Sequence, residues 1–340
     1  MKRLRASGKE ALMKKNLKTF LISGGIFLVA AAFTIFCGFT VSRLSAPDHE
    51  EEEQTSEAEQ TEEESTAPST TEKPPETTTE ETEPEETLFT DGVITELSET
   101  RLAGIASTYS PEVLNYPLDS QRDDKNRPAQ NVQLLQEFND RYGEGKVKIF
   151  GNTEVNAAYL TFVLTTEVDM NTSIVLDTLA EKNVKAVFFV SHSYVEANPE
   201  IVKRIVNEGH ELGSIGSQQD VPLSDLPLKD QSQDVIALQK EVAELTGVRM
   251  TKFFFSFNAY SNETLAMLTE MGYTVCFYSA NYNDLDKNAV LSSEEFLIDM
   301  KERLHQGIVY SLHTTNTATL VMLPQLIDYL NSNSFTLELL

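Results

Sequence analysis

Tryptophan is absent from this 340-residue chain, and cysteine occurs only at Cys37 and Cys276. Two distant cysteines, one in an apolar run and one in a strand-like run, exclude a disulfide framework. Without a CxxC pair, a thiolate zinc site has no basis either. Histidine is scarce: 49, 192, 210, 305 and 313, with no two at i, i+4 spacing. A helical two-histidine metal motif is therefore missing, while a site built from sequence-distant residues is left open. Positive charge is also short, with 27 Lys+Arg against 53 Asp+Glu and a net charge of −26. That balance excludes nucleic acid as a partner, because phosphate binding needs a basic footprint.

The charge that is present is unevenly placed. Residues 1–18 hold seven basic residues and one acid, Glu10. The 22 residues 20–41 (FLISGGIFLVAAAFTIFCGFTV) carry no charge. At about 1.5 Å per residue such a helix spans a hydrocarbon core of roughly 30 Å. The basic flank sets its orientation, predicting a cytoplasmic tail 1–19, a transmembrane helix 20–41 and an outward-facing remainder. A cleaved signal peptide is the rival reading, disfavoured by the length of the run and the lack of a clean small-residue cleavage site. Segment 42–88 follows. Its residues 46–88 hold seventeen acids and one base, Lys73, in a Glu/Thr/Pro/Ser tract with almost no hydrophobics. It cannot bury enough apolar surface to offset chain entropy, which predicts a disordered spacer spanning on the order of 35–40 Å. A threonine-rich glycosylated stalk is the sharper alternative.

Residues 89–155 predict an N-terminal extension with a mixed segment, a loop and a short helix before Gly143. From 156 to 340 strand-like and helix-like pieces alternate. AAYLTFVL at 157–164 is rich in β-branched and aromatic residues; a helix follows with Ile174, Val175, Leu176 and Leu179 on one face. VKAVFFV, MTKFFFSF, YTVCFYSA, GIVYSLH and FTLELL are further strands. Helices between them stop at Gly209, Gly247, Gly272 and Gly307, and one opens with a capping box, Ser292 and Glu295. This repetition predicts an α/β fold with a mostly parallel sheet, as a closed barrel or an open doubly wound sheet.

Several stretches carry a family likeness: YLTF at 159–162, IVLDTLAEKNV at 174–184, AVFFV at 186–190, NPEIVKRIVNEGHELG at 198–213, LAMLTEMGYTV at 265–275 and Leu312-His313. In order and wording the chain resembles the polysaccharide deacetylases with a NodB-type domain, most closely the branch acting on muramic acid in peptidoglycan. The resemblance covers roughly residues 116–340. It implies a distorted (β/α) barrel that binds a divalent metal such as zinc through one Asp and two His, with a second Asp as general base and a His as general acid.

Position by position, the chain departs from that pattern. Thr161-Phe162 is followed by Val163 where the resemblance places the base and by Leu164 where it places the metal carboxylate. Ile215 and Gln219 stand in for the two metal histidines, and Phe254 for the arginine that holds the base. Asp284 and His313 remain, matching a carboxylate and the acid it tunes. No cofactor is expected, since the base and all three metal ligands are replaced together. Metal-assisted deacetylation needs that cation to polarise the amide and activate water. The expectation is a catalytically inactive homologue at the cell membrane that binds cell-wall glycan or an envelope protein. The alternative is a de-N-acetylase or related amide or ester hydrolase with a remodelled site on Asp284 and His313.

Other residues have blander readings. His210 is expected to be structural, and Glu167, Asp169 and Asp220 to be solvated loop charges. Phe254, Phe257, Tyr278 and Leu312 are the groove candidates. Strand alternation puts Phe254 on one face and Phe253 and Phe255 on the other.

Overall fold

The computed structural model describes residues 95–117, 121–164, 170–216, 221–282 and 292–340. The predicted tail, membrane span and acidic spacer lie outside the described residues. Among the described residues no helix is long and apolar enough to cross a membrane.

The chain begins with α1 (Glu99–Thr108), β1 (Val113–Asn115), α2 (Ala129–Tyr142) and β2 (Val147–Lys148). The repeating part runs β3 (Ala157–Leu164), α3 (Met170–Glu181), β4 (Val187–Val190), α4 (His192–Ala197), α5 (Pro199–Asn207) and β5 (Glu211–Ser214). It continues through α6 (Leu228–Thr246), β6 (Lys252–Phe254), β7 (Ala259–Ser261), α7 (Asn262–Met271), β8 (Thr274–Cys276) and β9 (Ala280–Asn281). The last elements are α8 (Ser293–Glu302), β10 (Ile308–His313), α9 (Thr317–Ser332) and β11 (Thr336–Glu338).

Local chemistry sets these limits. Ser191, Ser261 and Ser292 sit at helix N-termini, where each hydroxyl accepts from an N–H of the first turn. Gly247 and Gly272 end α6 and α7 in left-handed backbone, which glycine adopts without strain. The capping Ser292 accepts from Glu295 N at 3.3 Å, as its spacing predicts. Helix α8 stops at Glu302 rather than running to Gly307.

The main sheet has the order β2-β8-β6-β5-β4-β3-β10-β9, every pairing parallel, with β11 also beside β3. Its two ends meet through one short piece of chain. β8 pairs with β2 and β6 at one end, and only three residues later β9 pairs with β10 at the other. Between them Phe277 N donates to Lys148 O at 2.7 Å and Ser279 N to Val309 O at 3.0 Å. The result is an α/β half-barrel, curled until its ends touch. The sequence reads 273–280 as one strand; the structure splits it where it crosses between the two ends.

A curled parallel sheet covered by helices has two buried faces, so its strands lack polar alternation. All eight residues of β3 are buried. Tyr159 and Val163 pack inside with Val187, Phe189 and Val309. Ala158, Leu160, Phe162 and Leu164 pack outward with Val175, Leu176, Leu179 and Met322 beneath the helices. Ile174, expected on the buried face of α3, is 43% exposed; Thr172 is buried in that helix instead. Strand β5 has little apolar character in ELGS, and it is not among the strands that the sequence predicts. The extension is built into the fold: β1 pairs antiparallel with β7, and β2 joins the main sheet.

Candidate functional site

In α/β barrels the loops after the strands' C-terminal ends carry the chemistry. Here those ends are Leu164, Val190, Ser214, Phe254 and His313. Val163 is buried, packed in one cluster with Phe189, Ile215, Phe254 and Tyr278. Phe254 is central to that filling: its ring lies 5.2 Å from Phe189 and 6.2 Å from Tyr278. Gly213 makes room for Phe189. It is the register partner of Phe189, and a Cβ there would sit 2.4 Å from the Phe189 ring. Ile215 closes the next position, its N–H donating to Val190 O at 3.1 Å.

Leu164 alternates to the other side and belongs to the helix-facing layer. Of the positions matching base, ligand, ligand and arginine, Val163, Ile215 and Phe254 thus pack in the barrel interior and Leu164 in the outer, helix-facing core. Side chains without lone pairs cannot coordinate a divalent cation, so these residues do not fit the metal that the fold implies. Among the described residues no group of three or more His, Cys, Asp or Glu side chains could hold a metal ion. Gln219 and Asp284, like Glu167, Asp169 and Asp220, lie outside the described residues.

His313 ends β10 as the register partner of Val163 and is half-buried. Of the four groove candidates, only Phe257 is exposed, at 58%. Leu312 is a correction: it faces the outer helical layer, because its neighbour His313 takes the other side of the strand. Phe254 and Tyr278 are corrections too, being buried in the barrel interior. The alternation along β6 is as read, with Phe253 against Phe255 at 5.3 Å, but both faces are core.

A polar clamp beside this core escaped sequence reasoning. Tyr116 OH donates to Tyr278 O, and Asn131 Nδ2 donates to Tyr116 OH at 2.5 Å. Tyr278 OH donates to Asn258 Oδ1 at 2.9 Å, and Tyr116 N donates to Asn258 O at 2.7 Å. Burial pushes both tyrosine hydroxyls well above their ordinary pKa, so they stay protonated donors. No spacing signals this clamp, because its members come from the residue after β1, from α2, from the β6–β7 loop and from the β8–β9 crossing.

The remaining histidines have clear places. His210 is structural: its Nδ1 accepts from Ala186 N at 3.2 Å, and burial lowers its pKa to about 4. His305 lies at the opposite end of the barrel against Phe150, its Nδ1 2.9 Å from Gln306 O, with its pKa also lowered to about 4 by burial. His192 begins α4 just past β4, with Nδ1 2.6 Å from Glu241 Oε2; that hydrogen bond raises its pKa. It is half-exposed and 49 residues from its partner, so neither its spacing nor its burial marks a site.

The comparisons with known proteins agree with this architecture. A curated relative, peptidoglycan-N-acetylmuramic acid deacetylase PdaA of Bacillus subtilis, is 29% identical over 192 residues, 55% of this chain and 71% of the relative. A 30.6 kDa protein of Geobacillus stearothermophilus is 27% identical over 68% of this chain and 87% of its own length. The solved structure of Bacillus subtilis PdaA, a family 4 carbohydrate esterase, superposes with a TM-score of 0.62 at 24% identity, covering 68% of this chain and 96% of that one. The family profile described as polysaccharide deacetylase matches residues 150–276, from the end of β2 through β8, which spans the packed positions Val163, Ile215 and Phe254. Through that segment the chain carries a polysaccharide deacetylase domain.

Proposed function

We propose that this chain is a membrane-tethered, outward-facing deacetylase homologue whose mouth serves binding to cell-wall glycan rather than hydrolysis. The observation that carries the reading is the apolar filling of the mouth by Val163, Ile215 and Phe254. Amide hydrolysis of the family type needs a cation to polarise the carbonyl and a base to activate water. Neither can come from these side chains. The replacement is also coherent: a base without its cation, or an arginine without its base, would be a costly unpaired charge in this interior. The name of the Bacillus subtilis relative supports peptidoglycan as the polymer. The uncharged run 20–41 behind a basic tail supports the tether, and the acidic tract supports a spacer that sets the domain off from the membrane.

His313 favours a second reading, an amide or ester hydrolase with Asp284 and His313 as its working pair, because it stands half-buried at the strand end. One assay separates the two. Full-length protein in detergent is incubated with muropeptides and chitooligosaccharides, with Zn²⁺, Co²⁺ or Mn²⁺ added, and acetate is measured. The expected result is no release, together with retention of the protein on purified peptidoglycan sacculi. Release that disappears in His313→Ala would overturn the binding reading. Absence of retention, with co-purification of an envelope protein, would replace the glycan by a protein partner.

A further inference from the structure

A cavity opens at the end of the barrel opposite the mouth. Its walls are the loop before α2 and the chain entering β3, β10 and β11, so it lies at the N-terminal ends of the strands. Residues at that end of a barrel ordinarily serve stability. Here the end is hollow, with a volume of about 460 Å³, within the range of small-ligand sites. One wall is pinned in place. Asn126, in left-handed backbone at φ 64°, donates from Nδ2 to Glu302 O and Leu304 O, each at 2.9 Å. These bonds fix the loop against the segment that carries His305.

His305 lines the cavity and is 4% exposed. Its Nδ1 is 2.9 Å from Gln306 O, and a carbonyl only accepts, so a proton sits on Nδ1. Burial keeps the ring neutral, and the nearby charges of Arg122 and Arg127 act in the same direction. Nε2 is therefore a bare lone pair. It is buried and has no hydrogen-bond partner among the described residues. A buried acceptor left unserved is costly, and it calls for a donor. The surroundings add a sign. Residues 122–127 set Arg122, Lys125 and Arg127 against Asp123 and Asp124, a net positive segment in a chain of −26. Asp123 is taken up by Arg127, at 2.7 Å. Lys125 and Asp124 are exposed on the rim, and among the described residues the Lys125 ammonium has no partner.

A bare acceptor inside a positive field narrows the ligand. A cation would serve Nε2 but meet the guanidiniums. A neutral hydroxyl would serve Nε2 and leave the rim cations unused. An oxyanion that brings its own proton serves both, through charge-assisted hydrogen bonds. We propose that this cavity binds phosphate in its protonated form, free or as a monoester, with P–OH donating to His305 Nε2 and the charged oxygens accepting from Lys125 and Arg127. In a monoester the organic part lies on Leu304 and Phe335, the apolar part of the wall. The site is separate from the mouth and does not depend on what the mouth binds.

Isothermal titration calorimetry of the full-length protein in detergent at pH 7 tests this with three probes: inorganic phosphate, glycerol phosphate and sulfate. Sulfate has the shape of phosphate but carries no proton at this pH. Phosphate should bind at least about tenfold more tightly than sulfate, the worth of one hydrogen bond to a charged group. Glycerol phosphate binding more tightly than phosphate would identify the ligand as a monoester; equal or weaker binding would identify it as the free ion. Lys125→Gln should weaken both phosphates several-fold with no fall in melting temperature, because its side chain is exposed. His305→Asn keeps a donor toward Gln306 O and removes Nε2, and should bring phosphate down to the level of sulfate. The proposal is overturned if neither phosphate binds, if sulfate matches them, or if both variants bind phosphate as wild type does.

Discussion

Val163 and His313 face one another across the parallel β3–β10 pairing, and the chemistry of the mouth turns on that pair. One is an apolar residue where hydrolysis would want a base; the other is the half-buried imidazole that the resemblance matches to the acid. Restoring a carboxylate by Val163→Asp places an anion among Phe189, Ile215, Phe254 and Tyr278. The expected outcome is destabilisation of about 3–5 kcal/mol in urea unfolding, the usual cost of an uncompensated buried charge. Gly213→Ala should cost about 1–3 kcal/mol by overpacking the Phe189 ring. The replaced positions were legible in the sequence, but whether they line a pocket or fill a core was not. That depends on the sheet curling until β4, β5 and β6 bring Phe189, Ile215 and Phe254 onto Val163. The same blindness put Leu312, Phe254 and Tyr278 among the groove candidates. Strand alternation says which residues share a face, and in a curled sheet both faces are buried.

At the scale of elements, long and strongly patterned segments were readable and short ones were not. β3, α6, α7, β10 and α9 follow directly from apolar runs and glycine stops. β5 hides in ELGS, where a charge and a glycine mask a strand that is defined by its neighbours β4 and β6. β8 and β9 look continuous because the crossing residues Phe277 and Tyr278 are as apolar as a strand. The extension, read from sequence as a mixed segment, a loop and a short helix, also holds the barrel: Tyr116 and Asn131 clamp the crossing, and Tyr116 the turn after β6. Tyr116→Phe removes the hydroxyl from Tyr278 O and leaves Asn131 Nδ2 with only its long 3.4 Å bond to Tyr278 O; it should cost about 1–3 kcal/mol. Equilibrium unfolding of that variant against wild type checks it, and an unchanged midpoint would mean the clamp is not formed.

For the molecule as a whole, two buried histidines set the acid limit. His210 and His305 have folded pKa values of about 4, below the ordinary value of 6.5. Between those values the unfolded chain binds more protons than the folded one, so stability rises with pH. It is complete above about 6.5 and falls as pH drops toward 4. At pH 5 each histidine should cost on the order of 2 kcal/mol relative to pH 7. Urea midpoints at the two values would show it, and a flat profile would contradict the burial of both imidazoles. The meeting of the sheet's ends has a further consequence, for crowding. The proposed tether would hold copies of the protein side by side, the condition in which open β-edges template sheet growth between chains. Here the terminal strands β2, β9 and β11 are two, two and three residues long. Among the described residues of the main sheet, a neighbour would find at its margins only strands too short to extend, so the curl that shapes the mouth also blunts edge-to-edge pairing between copies.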